Sequence, residues 1–144
     1  VLALLQRCHE ALLQTRGAAM TLGALDVSSA TLTWTGVGNV EAVLIAGGQG
    51  PPRGKLCLTN RGGVVGYRLP PVDASSVPIF PGDLLILATD GVDCRFACEP
   101  LPRCSPDALA HAILDRHGKA SDDALVLVLH WFGQAASAFP RAAR

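Results

Sequence analysis

Two uninterrupted apolar runs, Leu84-Leu-Ile-Leu-Ala88 and Ala124-Leu-Val-Leu-Val-Leu129, constrain the fold of this chain more than any other feature. Neither alternates with polar residues, so each reads as a strand buried on both faces. Such strands need a layer above and a layer below. Between the runs lies a well-signalled helix. Ser105 can cap it, Pro106 suits its first position, Leu109, Ala112 and Ile113 form an apolar stripe, and Gly118 ends it. A sheet packed on a second sheet, with helices outside, meets the demand for cover. The expected fold is therefore α+β, a four-layer α-β-β-α sandwich of two mainly antiparallel sheets.

The rest of the chain supplies further strands. Leu32 and Trp34 alternate with Thr31, Thr33 and Thr35, the period of a half-buried strand. GAAMTLGALDV before it and VEAVLIAGG after it read as two more strands, with Gly36-Val-Gly38-Asn39 as a hairpin turn. The Gly and Pro of residues 49–55 predict a hairpin loop, LCLTN a short strand, and RGGVVGYRLPP a glycine-rich loop. Pro81-Gly82 has the residues that a type II turn wants at its centre. At the front, Val1, Leu5, Cys8 and Leu12 recur at helical spacing, and Gly17 stops the helix. Six or seven strands thus follow one another mostly by hairpins, with one helix before them and one late. The first helix opens without a cap and the chain starts on Val, so the sequence reads as a fragment. Residues 133–144 show no periodicity and read as a disordered tail.

At 49% hydrophobic and 17% charged, the 144 residues have globular composition and suffice for one domain with a core. The formal net charge is +0 with no cluster of Lys and Arg, which removes the footprint expected for nucleic acid or an anionic membrane. No apolar run approaches the roughly 20 residues that span a bilayer, and the first residues lack the pattern of a signal peptide. Cys8, Cys57, Cys94, Cys98 and Cys104 are odd in number and irregular in spacing, which fits free thiols in a reducing cytoplasm. Cys94, Cys98 and Cys104, with His111 beyond, offer a candidate metal site. Their spacing is not that of a zinc finger or ribbon, and thiols in a loop are the plainer reading. His9, His111, His117 and His130 share no spacing and read as structural or solvated.

Chemistry concentrates at the ends of the two apolar runs. Asp90 closes the first, in LLILATDGV, and Asp122 and Asp123 open the second, in SDDALVLVL. If the two strands are antiparallel neighbours, the end of one lies beside the start of the other. Residues 32 positions apart then share one edge of the sheet. Carboxylates gathered there repel one another unless a cation joins them. Hard ions such as Mg²⁺ or Mn²⁺ prefer oxygen ligands of this kind. Gly91 leaves room for a hydrated ion beside Asp90. From spacing alone a second reading is open, in which Asp90-Gly91 is only a turn and Asp122-Asp123 only a polar strand start. Asp93, just after the turn, is a candidate for a carboxylate behind the site, and Asp26, Asp73 and Asp83 read as turn residues.

In its order of motifs the chain resembles a known family. PGDLLILATDGV, a capped helix and SDDALVLVL resemble the C-terminal half of the protein phosphatase 2C superfamily, in its bacterial SpoIIE-like branch. GVGNVEAVLI and RGGVVGYRLP resemble the RsbX-like phosphatases of bacterial stress signalling, often joined to an anti-sigma-type kinase domain. The resemblance covers Val1 to Trp131, and residues 1–132 are taken as the C-terminal portion of such a phosphatase domain, with the N-terminal strands missing. It implies that Asp90 and Asp122 are the catalytic metal ligands, that Asp123 holds a less critical second position, and that Gly91 belongs to the same metal-binding motif. It implies two Mn²⁺ or Mg²⁺ ions in the whole domain, and a further bridging Asp-Gly that this chain lacks. Leu125 stands where the family commonly has Thr or Ser.

The implied activity is hydrolysis of phosphoserine or phosphothreonine by a metal-activated water. The implied substrate is a phosphorylated STAS-type regulator or anti-sigma antagonist, with an anti-sigma-type kinase domain in the same chain as a further candidate partner. The rival from another class is a non-catalytic binding module of the same pathway, and a cysteine-rich metal-binding domain is a third. Gly62, Gly63 and Gly66 could approach the same edge or form a plain loop.

Overall fold

The structure is a computed structural model and describes residues 1–133. Among these residues, seven strands form two antiparallel sheets. A three-stranded sheet has the order β1-β2-β5, from Met20–Asp26, Thr31–Val37 and Ser75–Pro78. A four-stranded sheet has the order β4-β3-β6-β7, from Lys55–Cys57, Glu41–Ile45, Leu84–Ala88 and Val126–His130. Helix α1 (Leu2–Leu12) lies on the outer face of the first sheet, where Leu5 packs with Val37, Met20 and Leu22. Helix α2 (Pro106–His117) lies on the outer face of the second, where Leu109 and Ile113 pack with Val43, Ile86 and Ala88. Leu32, Trp34, Ala42, Leu44 and Leu85 fill the space between the sheets. The layers are α-β-β-α, as expected.

Local signals explain most of these elements. Ser105 Oγ accepts from Ala108 N at 3.3 Å and Gly118 ends α2, whose stripe of Leu109, Ile113 and His117 is buried. Pro81 and Gly82 form the turn before β6. Gly82 has φ 95°, and Asp83 N donates to Phe80 O at 3.0 Å. Residues 49–55 do close a hairpin between β3 and β4.

Three expectations change. Gly38-Asn39 is not a hairpin turn, because β2 and β3 belong to different sheets and the connection crosses between them. Strand β5 was not foreseen, since Ser75-Ser-Val-Pro78 is short, polar and ends in proline, a composition that suits an edge. The second apolar run begins pairing at Val126 rather than Ala124, and it is not buried on both faces. Val126 and Val128 face α2, whereas Leu125, Leu127 and Leu129 remain 58%, 47% and 37% exposed. Among the described residues, strand β7 lies at the end of its sheet and has a neighbour on one side only. By contrast β6, in the interior, is covered on both sides as expected. The tail expected over 133–144 lies, from residue 134 on, outside the described residues.

Candidate metal-binding edge

The pairing of β6 with β7 continues past its last register pair, Ala88 with Val126. Thr89 N donates to Leu125 O at 3.1 Å, and Leu125 N donates to Thr89 Oγ1 at 2.9 Å. The chain then reverses, with Val92 N donating to Thr89 O at 2.9 Å, so Asp90 and Gly91 are the central residues of a β-turn. Asp122 and Asp123 precede β7 on the other side of the ladder. The segments bearing Asp90, Asp122 and Asp123 are therefore brought to one edge of one sheet. The turn reading and the shared-edge reading hold together.

Gly91 is where the two segments touch. A Cβ added there would lie 2.2 Å from Asp123 O and 3.0 Å from Ala124 Cα. Any side chain would push them apart, so glycine is needed for main-chain approach. The room expected beside Gly91 for a hydrated ion is filled by Asp123 instead.

All three aspartates are exposed. Asn39 Nδ2 donates to Asp90 Oδ2 at 2.6 Å, a contact made by the connection between the two sheets. That connection is itself tied down, since Gly38 N donates to Arg61 O at 2.8 Å and Asn60 Nδ2 donates to Val40 O. Asp122 Oδ1 accepts from Asp123 N at 2.9 Å. Among the described residues, Asp90 Oδ1 and Asp122 Oδ2 take no hydrogen bond. Oxygens of this kind suit a hard divalent ion, so the donor chemistry fits Mn²⁺ or Mg²⁺. The number of donors does not complete a site. Among the described residues, no three His, Cys, Asp or Glu side chains are grouped to hold an ion.

Other candidates go elsewhere. Asp93 caps the 3₁₀ turn Cys94–Ala97, and its two oxygens take Arg95 N at 2.9 Å and Arg95 Nε at 2.9 Å. The bond from the Arg95 side chain, then the one from its main chain, lowers the Asp93 carboxyl to about 2. It serves the turn rather than the edge. Cys94, Cys98 and Cys104 are exposed free thiols. Gly66 packs on Leu12 of α1 and donates its N–H to His9 Nδ1 at 2.8 Å, so this glycine loop braces the first helix. Asp83 is more than a turn residue. It is 1% exposed and accepts from Phe80 N, Gly47 N and, at 2.7 Å, Arg53 Nη2.

The family model of Stage II sporulation protein E matches residues 1–132. The chain belongs to the SpoIIE family. Solved structures agree on the fold, which is that of PP2C-type phosphatase domains. A chain from "The bacterial stressosome: a modular system that has been adapted to control secondary messenger signaling" is 24% identical with a TM-score of 0.75, over 88% of this chain and 65% of that one. RsbX in complex with magnesium is 18% identical with a TM-score of 0.72, over 88% and 61%. The phosphatase domain of SpoIIE from Bacillus subtilis, presoaked with Mn, is 19% identical with a TM-score of 0.64, over 88% and 63%. This SpoIIE-family chain thus spans 61% to 65% of the length of these three. Comparison with curated proteins returns no significant match. Among the described residues, no helix is long and apolar enough to cross a membrane.

Asn39 was missed by sequence reasoning, although Gly38-Asn39 stood out as a turn. Its partner lies 51 residues away, and nothing in the spacing links the two.

Proposed function

We propose that this chain carries two metal-binding carboxylates, Asp90 and Asp122, of a Mn²⁺- or Mg²⁺-dependent protein serine/threonine phosphatase. One observation carries the reading: antiparallel pairing of β6 with β7 brings the Asp90 turn against the Asp122-Asp123 segment, closely enough that only glycine fits at position 91. Asp123 is a lesser contributor, since by resemblance it matches the family's less critical second position. When bound, a hard dication supplies charge neutralisation for the phosphate and a water of lowered pKa. Family membership and the resemblance to RsbX-like phosphatases support a phosphorylated STAS-type regulator of bacterial stress signalling as substrate, in the cytoplasm. Residues 1–132 are the portion of the phosphatase domain that this chain provides.

The protein that carries this chain is expected to release phosphate from a phosphoserine STAS protein only with Mn²⁺ or Mg²⁺. Turnover that persists in EDTA would contradict the metal-dependent reading. The alternative, a module that binds phosphorylated regulators without hydrolysing them, is favoured by the absence of a three-ligand group among the described residues. It gives binding of the phosphoprotein with no turnover under any metal.

A further inference from the structure

The segment that leaves α2 does more than return the chain to β7. Gly118 pairs with Val92 across an isolated bridge, and Asp93 N donates to His117 O at 2.8 Å. Lys119 comes next. Its main-chain N–H donates to Gly91 O at 2.8 Å, and its ammonium donates to Asp90 O at 2.6 Å. One residue therefore holds both carbonyls of the Asp90-Gly91 turn. Its own carbonyl accepts from Asp122 N at 3.3 Å. Lys119 is hydrogen-bonded to both segments of the acidic edge.

Plain attraction between a surface lysine and an acidic patch does not account for this. Asp90, Asp93, Asp122 and Asp123 all lie close in the fold or the chain. Among the described residues, the ammonium forms no ion pair with any of them within 4.0 Å. It takes a main-chain carbonyl instead. A charged donor on a carbonyl makes a strong hydrogen bond, and here it acts together with the main-chain bond of the same residue.

We propose that Lys119 is a positioning residue, fixing the Asp90-Gly91 turn against the Asp122-Asp123 segment so that both carboxylates are presented together to a divalent cation. The inference rests on the reading of this edge as a metal site. It has a consequence whose sign is diagnostic. A cation beside a metal site repels the incoming ion, so on charge alone its removal tightens metal binding. A clamp that pre-organises the ligands does the opposite, and residues behind metal ligands commonly change affinity by about 10- to 100-fold.

The test compares the wild-type chain with Lys119→Met and Lys119→Arg. Lys119 is exposed, so neither change touches the core. Calorimetry with Mn²⁺ gives the affinities, and amide exchange without metal gives the stability of the Val92 and Asp122 hydrogen bonds. Lys119→Met is expected to weaken Mn²⁺ binding by about tenfold and to speed exchange at both amides, with Lys119→Arg restoring most of each. Mn²⁺ affinity equal to or tighter than wild type in Lys119→Met would overturn the proposal. Failure of the wild-type chain to bind Mn²⁺ would sink the metal reading. The exchange measurement then decides the clamp by itself, and unchanged exchange in Lys119→Met would overturn it.

Discussion

Asp83 and Asp122 differ in what surrounds them, and their variants should differ accordingly. Asp83 is a buried carboxylate with two main-chain donors and the Arg53 guanidinium, which also lies 4.3 Å over the Phe80 ring. Removing the carboxylate leaves the Phe80 and Gly47 N–H groups and the partly exposed Arg53 guanidinium without their shared acceptor, at about 1–3 kcal/mol. Asp83→Ala is therefore expected to lower stability in urea unfolding by about that amount, and unchanged stability would refute the buried acceptor. Asp122 is exposed, and its variant should leave the fold alone. The amide oxygen in Asp122→Asn can still accept from Asp123 N, so what disappears is the charge. Asp122→Asn is expected to lower phosphatase activity of the protein by more than about 100-fold, beyond the loss of a supporting residue. Asp123→Asn should do much less, and equal effects would return both residues to a plain strand start. The local parts of these residues were legible. Asp83 was readable as a turn residue, since Phe80 N lies three positions away, but Arg53 was not, being 30 positions away with no periodic signal.

At the scale of elements, β7 carries the main lesson. Leu and Val are both apolar, so an alternating strand written in these two residues looks the same as one buried on both faces. Its neighbours decide, and among the described residues β7 has a neighbour on one side only. Among the described residues its outer edge is unpaired and Leu127 is exposed, which makes this chain by itself prone to pair with other copies. Leu127→Lys is expected to reduce concentration-dependent association in analytical ultracentrifugation while the melting temperature stays within a few degrees. Unchanged association would place the sticky surface elsewhere. The turn between β1 and β2 gives a pH signature. Asp26 accepts from the Ser28 hydroxyl, Ser28 N and Ser29 N. Bonds from Ser28 and then Ser29 lower its carboxyl from 3.8 to about 2. Because the folded value lies below the unfolded one, this turn contributes stability above pH 3.8 that is lost as pH falls through about 2. A carboxyl titration by NMR should place the Asp26 midpoint near 2, and a midpoint at 3.8 would remove the turn from the account.

For the whole molecule, the four layers were legible because burial demands are global: an interior strand such as β6 must be covered on both faces whatever its connections. Crossing between sheets at Gly38-Asn39 was not legible, because a glycine turn reads alike whether the next strand pairs or departs. The acidic edge was legible in its carboxylates and not in their supports. Asp90 and Asp122 announce themselves by their place at the ends of apolar runs, whereas Asn39 and Lys119 act through contacts 51 and 29 positions away. The central claim is that two segments distant in sequence present one cation site. Paramagnetic broadening by Mn²⁺ on the isotopically labelled chain tests it directly. Amide signals of Asp90, Gly91, Asp122 and Asp123, with those of Lys119 and Asn39 beside them, are expected to broaden together, at the same Mn²⁺ concentration and before those of distant elements. Broadening of one segment without the other, or first at Cys94, Cys98 and Cys104, would contradict it.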